Sequence, residues 1–204
     1  MPRQSRTPKR SRFVDRKRSM RTSTPEGVIV MQLVEQAIVQ HQQGHLEKAR
    51  EIYAQVLEKD PKNYDALNLS GVIALQQNNL SAALALIEKA ISIQPSQAFA
   101  YVNHGLTLEK LGRLEHAINS FDKAIEVKPD FAEAYNNKGI ILKKLNRFEE
   151  AVLSYKNAIS LKANYAIAYS NLGNVLRELK EHDEALINFN KSIQANPNYA
   201  EAYS

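Results

Sequence analysis

His41 and His45 stand four residues apart, a spacing that on one helical face could hold a metal ion. Gly44 would break any helix between them and no third ligand lies near, so the pair reads as turn-flanking. His104 could act as a general base only with an orienting partner and a nucleophile, and neither recurs with it. It reads instead as a half-buried polar group whose head reaches water. Tyr101, Tyr135, Tyr169 and Tyr203 recur every 34 residues, and Tyr53, Phe121, Tyr155 and Phe189 stand at multiples of 34 on a second register. Such rows could stack RNA bases, but their spacing is that of helix-packing positions, so they are assigned to a core. No nucleophile elbow, phosphate loop, dinucleotide fingerprint or zinc-protease motif occurs. The chain is read as non-enzymatic, with no catalytic residue, no metal ligand and no cofactor.

The period of the tyrosines belongs to the whole chain. Ala100-Tyr101-Val102-Asn103-His104-Gly105 returns as Ala134-Tyr135-Asn136-Asn137-Lys138-Gly139 and as Ala168-Tyr169-Ser170-Asn171-Leu172-Gly173. A fixed period of 34 residues means stacked supersecondary units rather than one closed core. With that phrase set at columns 3 to 8, column 8 holds Ala37, Gly71, Gly105, Gly139 and Gly173. Column 20 holds Ala49, Ala83, Ala117, Ala151 and Ala185. Small residues at these two places let two helices approach, while columns 4, 11, 17 and 24 carry bulky apolar groups such as Tyr101, Leu108, Leu114 and Phe121.

The punctuation predicts helix, turn, helix in each copy. Gly44, Asn78, Gly112 and Asn146 share column 15, where a first helix should end in the left-handed region. Pro61, Pro95, Pro129 and Pro197 stop the second helix; Ala163 replaces this proline, which predicts a helix running on slightly there. Ser96, Asp130, Asn164 and Asn198 follow as expected N-caps of the next first helix. Ser23-Thr24-Pro25-Glu26 predicts a capped start with proline at the first helical position.

This pattern resembles the tetratricopeptide repeat over roughly residues 30 to 199. The resemblance implies an all-α, right-handed superhelical solenoid of antiparallel helix pairs. We expect a basic tail over residues 1–25, five repeats over 26–199, and the start of a sixth at 200–204. The phrases Ala-Tyr-x-Asn-x-Gly and Ala-Val-Leu-Ser-Tyr-Lys-Asn-Ala-Ile (151–159) are also similar to repeats preceding bacterial SPINDLY-like O-linked N-acetylglucosamine transferases. A glycosyltransferase domain is not among these residues. The Lys and Asn clamp of chaperone-tail-binding members is missing, because column 5 reads Val34, Asn68, Val102, Asn136 and Ser170.

In such a stack the first helices line the concave side. Asn103, Asn137 and Asn171 then form a row at column 6, and each amide offers donors and an acceptor to an extended peptide backbone. The same amides could equally tie one repeat to the next. Asn136, Lys143 and Lys144 join the row in the fourth copy, Asn174 and Arg177 in the fifth, and the cations would favour an acidic peptide. Hence the expected partner is a protein or peptide, and the alternative is the substrate-recognition part of a larger glycosyltransferase.

Charge divides the chain unevenly. Residues 1–25 carry +8 and the remainder −3. The tail suits nucleic acid or an anionic surface, or it is a solvated extension translated upstream of a start at Met20 or Met31. No apolar run is long enough for a bilayer and there is no cysteine, which together set a cytoplasmic expectation. The last repeat presents an apolar side without a cover, which predicts self-association or a fragment of something longer.

Overall fold

The computed structural model describes residues 24–197; the expectations for the basic tail, Ser23, Asn198, Tyr203 and the sixth copy fall outside them. Among the described residues ten helices follow one another: α1 (Pro25–Gln42), α2 (Leu46–Lys59), α3 (Tyr64–Gln76), α4 (Leu80–Ile93), α5 (Ala98–Lys110), α6 (Leu114–Val127), α7 (Ala132–Lys144), α8 (Phe148–Leu161), α9 (Ala166–Glu178) and α10 (His182–Ala195). They form five antiparallel hairpins, each packed on the next, and no strand occurs among the described residues. First helices also touch the next first helix (α3 on α5, α5 on α7, α7 on α9), while no two second helices make a comparable contact. First helices therefore lie on the inner, concave side of the right-handed superhelix.

The close approach within a hairpin comes from column 8. A Cβ added at Gly105 would sit 2.6 Å from Phe121 Cε1, and one at Gly139 2.6 Å from Tyr155 Cε1, well inside carbon contact distance. The Phe121 and Tyr155 rings lie against bare backbone and are fully buried, as is Tyr53, whose copy has Ala37 at column 8. The column 20 alanines, one turn before these rings on the same second helices, are all at 3% exposure or less. Between hairpins, Ala66, Ala100, Ala134 and Ala168 at column 3 are fully buried.

Turns agree with column 15 and extend it. Gly44, Asn78, Gly112 and Asn146 have φ between +57° and +79°, and Lys180 joins them at +64°. Each reversal is closed by a backbone bond from column 16 to column 11, such as Arg113 N to Leu108 O and Glu181 N to Leu176 O, both 2.9 Å, beside one from column 15 to column 12.

Two expectations fail locally. The first-helix N-caps are Asn63, Gln97, Phe131 and Tyr165, one residue beyond Ser96, Asp130 and Asn164. Proline takes the second position of a β-turn closed by Gln97 N to Gln94 O (3.3 Å) and Phe131 N to Lys128 O (3.2 Å). The polar residue is thereby held in the turn. Only Asn63 caps with its side chain among these four, accepting from Ala66 N at 3.0 Å. Similarly, α8 stops at Leu161 without a proline, at the column where α4, α6 and α10 stop. Packing of the next hairpin sets that end, and proline only reinforces it. At the start, Thr24 is the cap, its Oγ1 accepting from Gly27 N at 3.0 Å, with Pro25 at the first helical position as expected.

Candidate functional site: the concave face of the first helices

The inner face is built on a register of 35 residues, one more than the repeat. Asn103 Nδ2 donates to Asn68 Oδ1 at 3.1 Å, and Asn171 Nδ2 donates to Asn136 Oδ1 at 3.1 Å. Lys110 Nζ donates to Leu75 O at 3.4 Å, and Lys144 Nζ to Glu109 Oε1 at 2.6 Å. Column 5 thus meets column 6 of the next copy, and column 12 meets column 13. Neighbouring first helices are stitched together along the groove.

That stitching sorts the expected site residues. Asn136 is 3% exposed and serves as acceptor for Asn171, so its expected place on the accessible groove wall is corrected: column 5 turns between helices. Asn103 and Asn171 are half-buried; each spends one N–H on its neighbour and keeps a second N–H and its carbonyl oxygen. Asn137 differs, because the third copy has Val102 at column 5, where Asn103 and Asn171 meet Asn68 and Asn136. Among the described residues it makes no side-chain hydrogen bond, and its whole amide is available at the half-buried floor. Sequence reasoning missed Asn68, whose signal was the 35-residue separation from Asn103.

Around this row, Leu69, Val72, Leu106 and Ile140 are half-buried and make an apolar floor. Phe99 at 57% and Ile167 at 42% stand exposed on one rim. Of the expected cations, Lys144 is neutralised by Glu109, and Arg177 Nη2 donates to Asn174 Oδ1 at 3.2 Å. Lys143 has no carboxylate partner among the described residues. By register Asn103, Asn137, Asn171, Asn174, Lys143 and Arg177 share one face of the first helices, and Lys144 is paired with Glu109.

The histidines behave as structural groups. His41 Nε2 lies 3.2 Å from Gln76 Oε1, and His45 Nδ1 lies 3.1 Å from Gln40 Oε1, so the two rings serve different partners. No cluster of three metal-ligating side chains occurs among the described residues. His104 Nδ1 lies 2.9 Å from Ser120 Oγ, which itself donates to His116 O at 2.9 Å. With its single proton spent there, Ser120 accepts from Nδ1–H, which is the opposite of nucleophile activation. Burial holds the His104 pKa below its usual value, opposed by Glu88, whose Oε1 lies 3.6 Å from Nε2.

Comparison with known proteins agrees with this fold. Models described as tetratricopeptide repeat match residues 34–98 and 166–199, and a TPR repeat model matches 105–146 and 139–179. No curated protein matches the sequence. Among solved structures, MamA is 23% identical with a TM-score of 0.71, over 81% of this chain and 96% of that one. YrrB, described as a TPR protein with an unusual peptide-binding site, is 22% identical with a TM-score of 0.66, over 84% and 88%. PilF of Pseudomonas aeruginosa is 18% identical with a TM-score of 0.81, over 88% and 82%. At these identities the structures share the fold. With the repeat models covering nearly all of the five hairpins, the chain belongs to the tetratricopeptide repeat family.

Proposed function

We propose that the chain is a protein-interaction scaffold that holds an extended peptide of a partner along the concave face of α3, α5, α7 and α9. The observation that carries this reading is the Asn137 amide, half-buried on an apolar floor with no protein partner of its own, flanked by the Asn103 and Asn171 carbonyls. Amides spaced at each repeat pair with peptide backbone whatever its sequence, while the apolar floor and rim Phe99 select side chains. Lys143 and Arg177 favour acidic residues toward the C-terminal half of the groove. The repeat fold, shared with a peptide-binding protein such as YrrB, supports the class of function. We place this role in the cytoplasm, as the cysteine-free composition suggests. The glycosyltransferase association is carried by the repeat phrases alone and is the weaker reading.

The test is selection of 12-residue peptides from a random display library on the full chain, followed by titration of the winners. Enrichment of Asp and Glu, with affinity weakened by Lys143→Glu together with Arg177→Glu, is the expected result. Winners indifferent to that charge reversal, or competing for a convex surface, would reject the groove.

A further inference from the structure

Two successive copies build the same corner where a second helix ends and the next first helix begins, and they complete it differently. Lys128 and Lys162 at column 31 are the C-caps of α6 and α8, with nearly identical backbones (φ −137°, ψ 88° and φ −138°, ψ 91°). Each reaches over the buried ring at column 34. Lys128 Nζ lies 4.9 Å from the Phe131 centroid, and Lys162 Nζ lies 4.5 Å from that of Tyr165. In the fourth copy column 2 is Glu133, whose Oε1 accepts from Lys162 Nζ at 3.4 Å. In the third copy column 2 is Phe99, which has no carboxylate to offer. Its ring packs edge-on against Phe131, centroids 4.8 Å apart, and Lys128 Nζ lies 5.6 Å from its centre. Lys128 is half-buried and makes no ion pair among the described residues, while Phe99 is 57% exposed. The other copies have Asp60, Gln94 and Asn196 at column 31, so this corner is particular to the third.

We propose that Phe99 and Lys128 form a specificity subsite on the rim of the groove, taking a large apolar side chain of the bound peptide together with an adjacent carboxylate. This rests on the peptide-groove reading and adds what the peptide must carry. The fourth copy shows which group fits the cation. Glu133 gives Lys162 a carboxylate from the column where Phe99 gives Lys128 none, so a peptide Asp or Glu completes the third corner as Glu133 completes the fourth. Phe99 supplies the apolar half. Its ring is already fixed edge-on by Phe131, so covering its exposed side removes apolar surface from water at little cost in side-chain freedom. Phe99 also stands one turn before Asn103 on α5, about 6 Å along the axis at 1.5 Å per residue. A side chain from a peptide backbone paired at Asn103 and Asn137 spans that distance. A peptide lysine at the same place would meet Lys128 and be rejected.

The probe is a random library of 12-residue peptides, selected in parallel on the full chain and on Phe99→Glu, which rebuilds the fourth-copy corner in the third. Winners on the full chain should carry Leu, Ile, Met or an aromatic residue beside Asp or Glu, and winners on Phe99→Glu should lose that pair. The strongest winner should bind Phe99→Glu about tenfold or more weakly in calorimetric titration, because an apolar anchor is replaced by a charge that engages Lys128. A double-mutant cycle isolates the carboxylate. Lys128→Gln and an acid-to-amide change in the peptide should each cost about two- to fivefold, and together no more than either alone. The cycle decides by itself if a thermal melt shows that Phe99→Glu unsettles the fold. Winners without the pair, or additive losses in the cycle, would overturn the subsite; if those winners are still weakened by Lys143→Glu with Arg177→Glu, the groove stands without it. Winners that carry the pair and need Phe99 and Lys128, yet ignore that charge reversal and Asn137→Ala, would keep the subsite and reject the groove.

Discussion

Lys180 should be a weak point that one substitution repairs. It occupies the left-handed turn position at φ +64°, where the other copies place glycine or asparagine. An L-residue with a Cβ pays about 1–2 kcal/mol in that region, because Cβ crowds the following carbonyl. Lys180 is exposed and its turn bond, Lys180 N to Arg177 O at 3.0 Å, is made by backbone that glycine would keep. Against the relief stands the extra freedom glycine gives the unfolded chain, about 0.5–1 kcal/mol. Lys180→Gly is therefore expected to stabilise by roughly 0.5–1 kcal/mol, or about 1–4 °C in Tm for a domain of this size. The reciprocal change, Gly112→Lys, places a Cβ at φ +72° with no atom within 4 Å, so it should cost a similar amount from conformation alone. Urea and thermal melts of both variants, followed by far-ultraviolet circular dichroism, read the two signs. A destabilised Lys180→Gly, or a stabilised Gly112→Lys, would refute the turn assignment.

Gly105→Ala should destabilise by up to about 2 kcal/mol, since overpacking of about 1–3 kcal/mol against the rigid Phe121 ring outweighs about 1 kcal/mol of gained helix propensity. Denaturant melts should show that Phe121→Leu in the same chain removes most of the penalty. Tyr155→Phe should be neutral or stabilising by about 1 kcal/mol, because the Tyr155 hydroxyl is buried with no protein hydrogen-bond partner; a loss above that in the same melts would reveal a partner. Acidification should weaken the fold through His104: its lowered folded-state pKa means the unfolded chain binds that proton first. The loss therefore begins as pH falls through about 6.5, the unfolded histidine value, and proceeds toward the lower folded value. His104→Gln should flatten that limb of the Tm-against-pH curve, and an unchanged limb would assign it elsewhere.

Hairpins, their core and their turns were legible because each is a local pattern repeated at one spacing. Columns 8, 20 and 24 are fixed by size, and even one repeat of Gly105 against Phe121 is informative when four others agree. Lys180 was not among the expected turn positions, since lysine by type gives no hint of a left-handed turn and only its place in the period marks it. Where residue preference competed with the period, preference misled. Asp130 and Asn164 are good caps by type, yet the turn after column 31 places the cap one residue later. Ala163 lacks proline, yet packing ends α8 at the common column. The groove was less legible because it lies between copies. Asn136 and Asn137 are neighbours in sequence, but the 35-residue register sends the first inward to Asn171 and leaves the second free.

Asn137 also gives the cleanest single measurement, because Asn103 and Asn171 hold repeats together and their loss would mix stability with binding. Isothermal titration of a display-selected peptide into Asn137→Ala, with a thermal melt of the same sample, separates the two. An unchanged Tm with affinity reduced about five- to thirtyfold is predicted, the cost of about 1–2 kcal/mol for leaving peptide backbone groups unpaired. Unchanged affinity at unchanged Tm would contradict the concave face as the seat of binding.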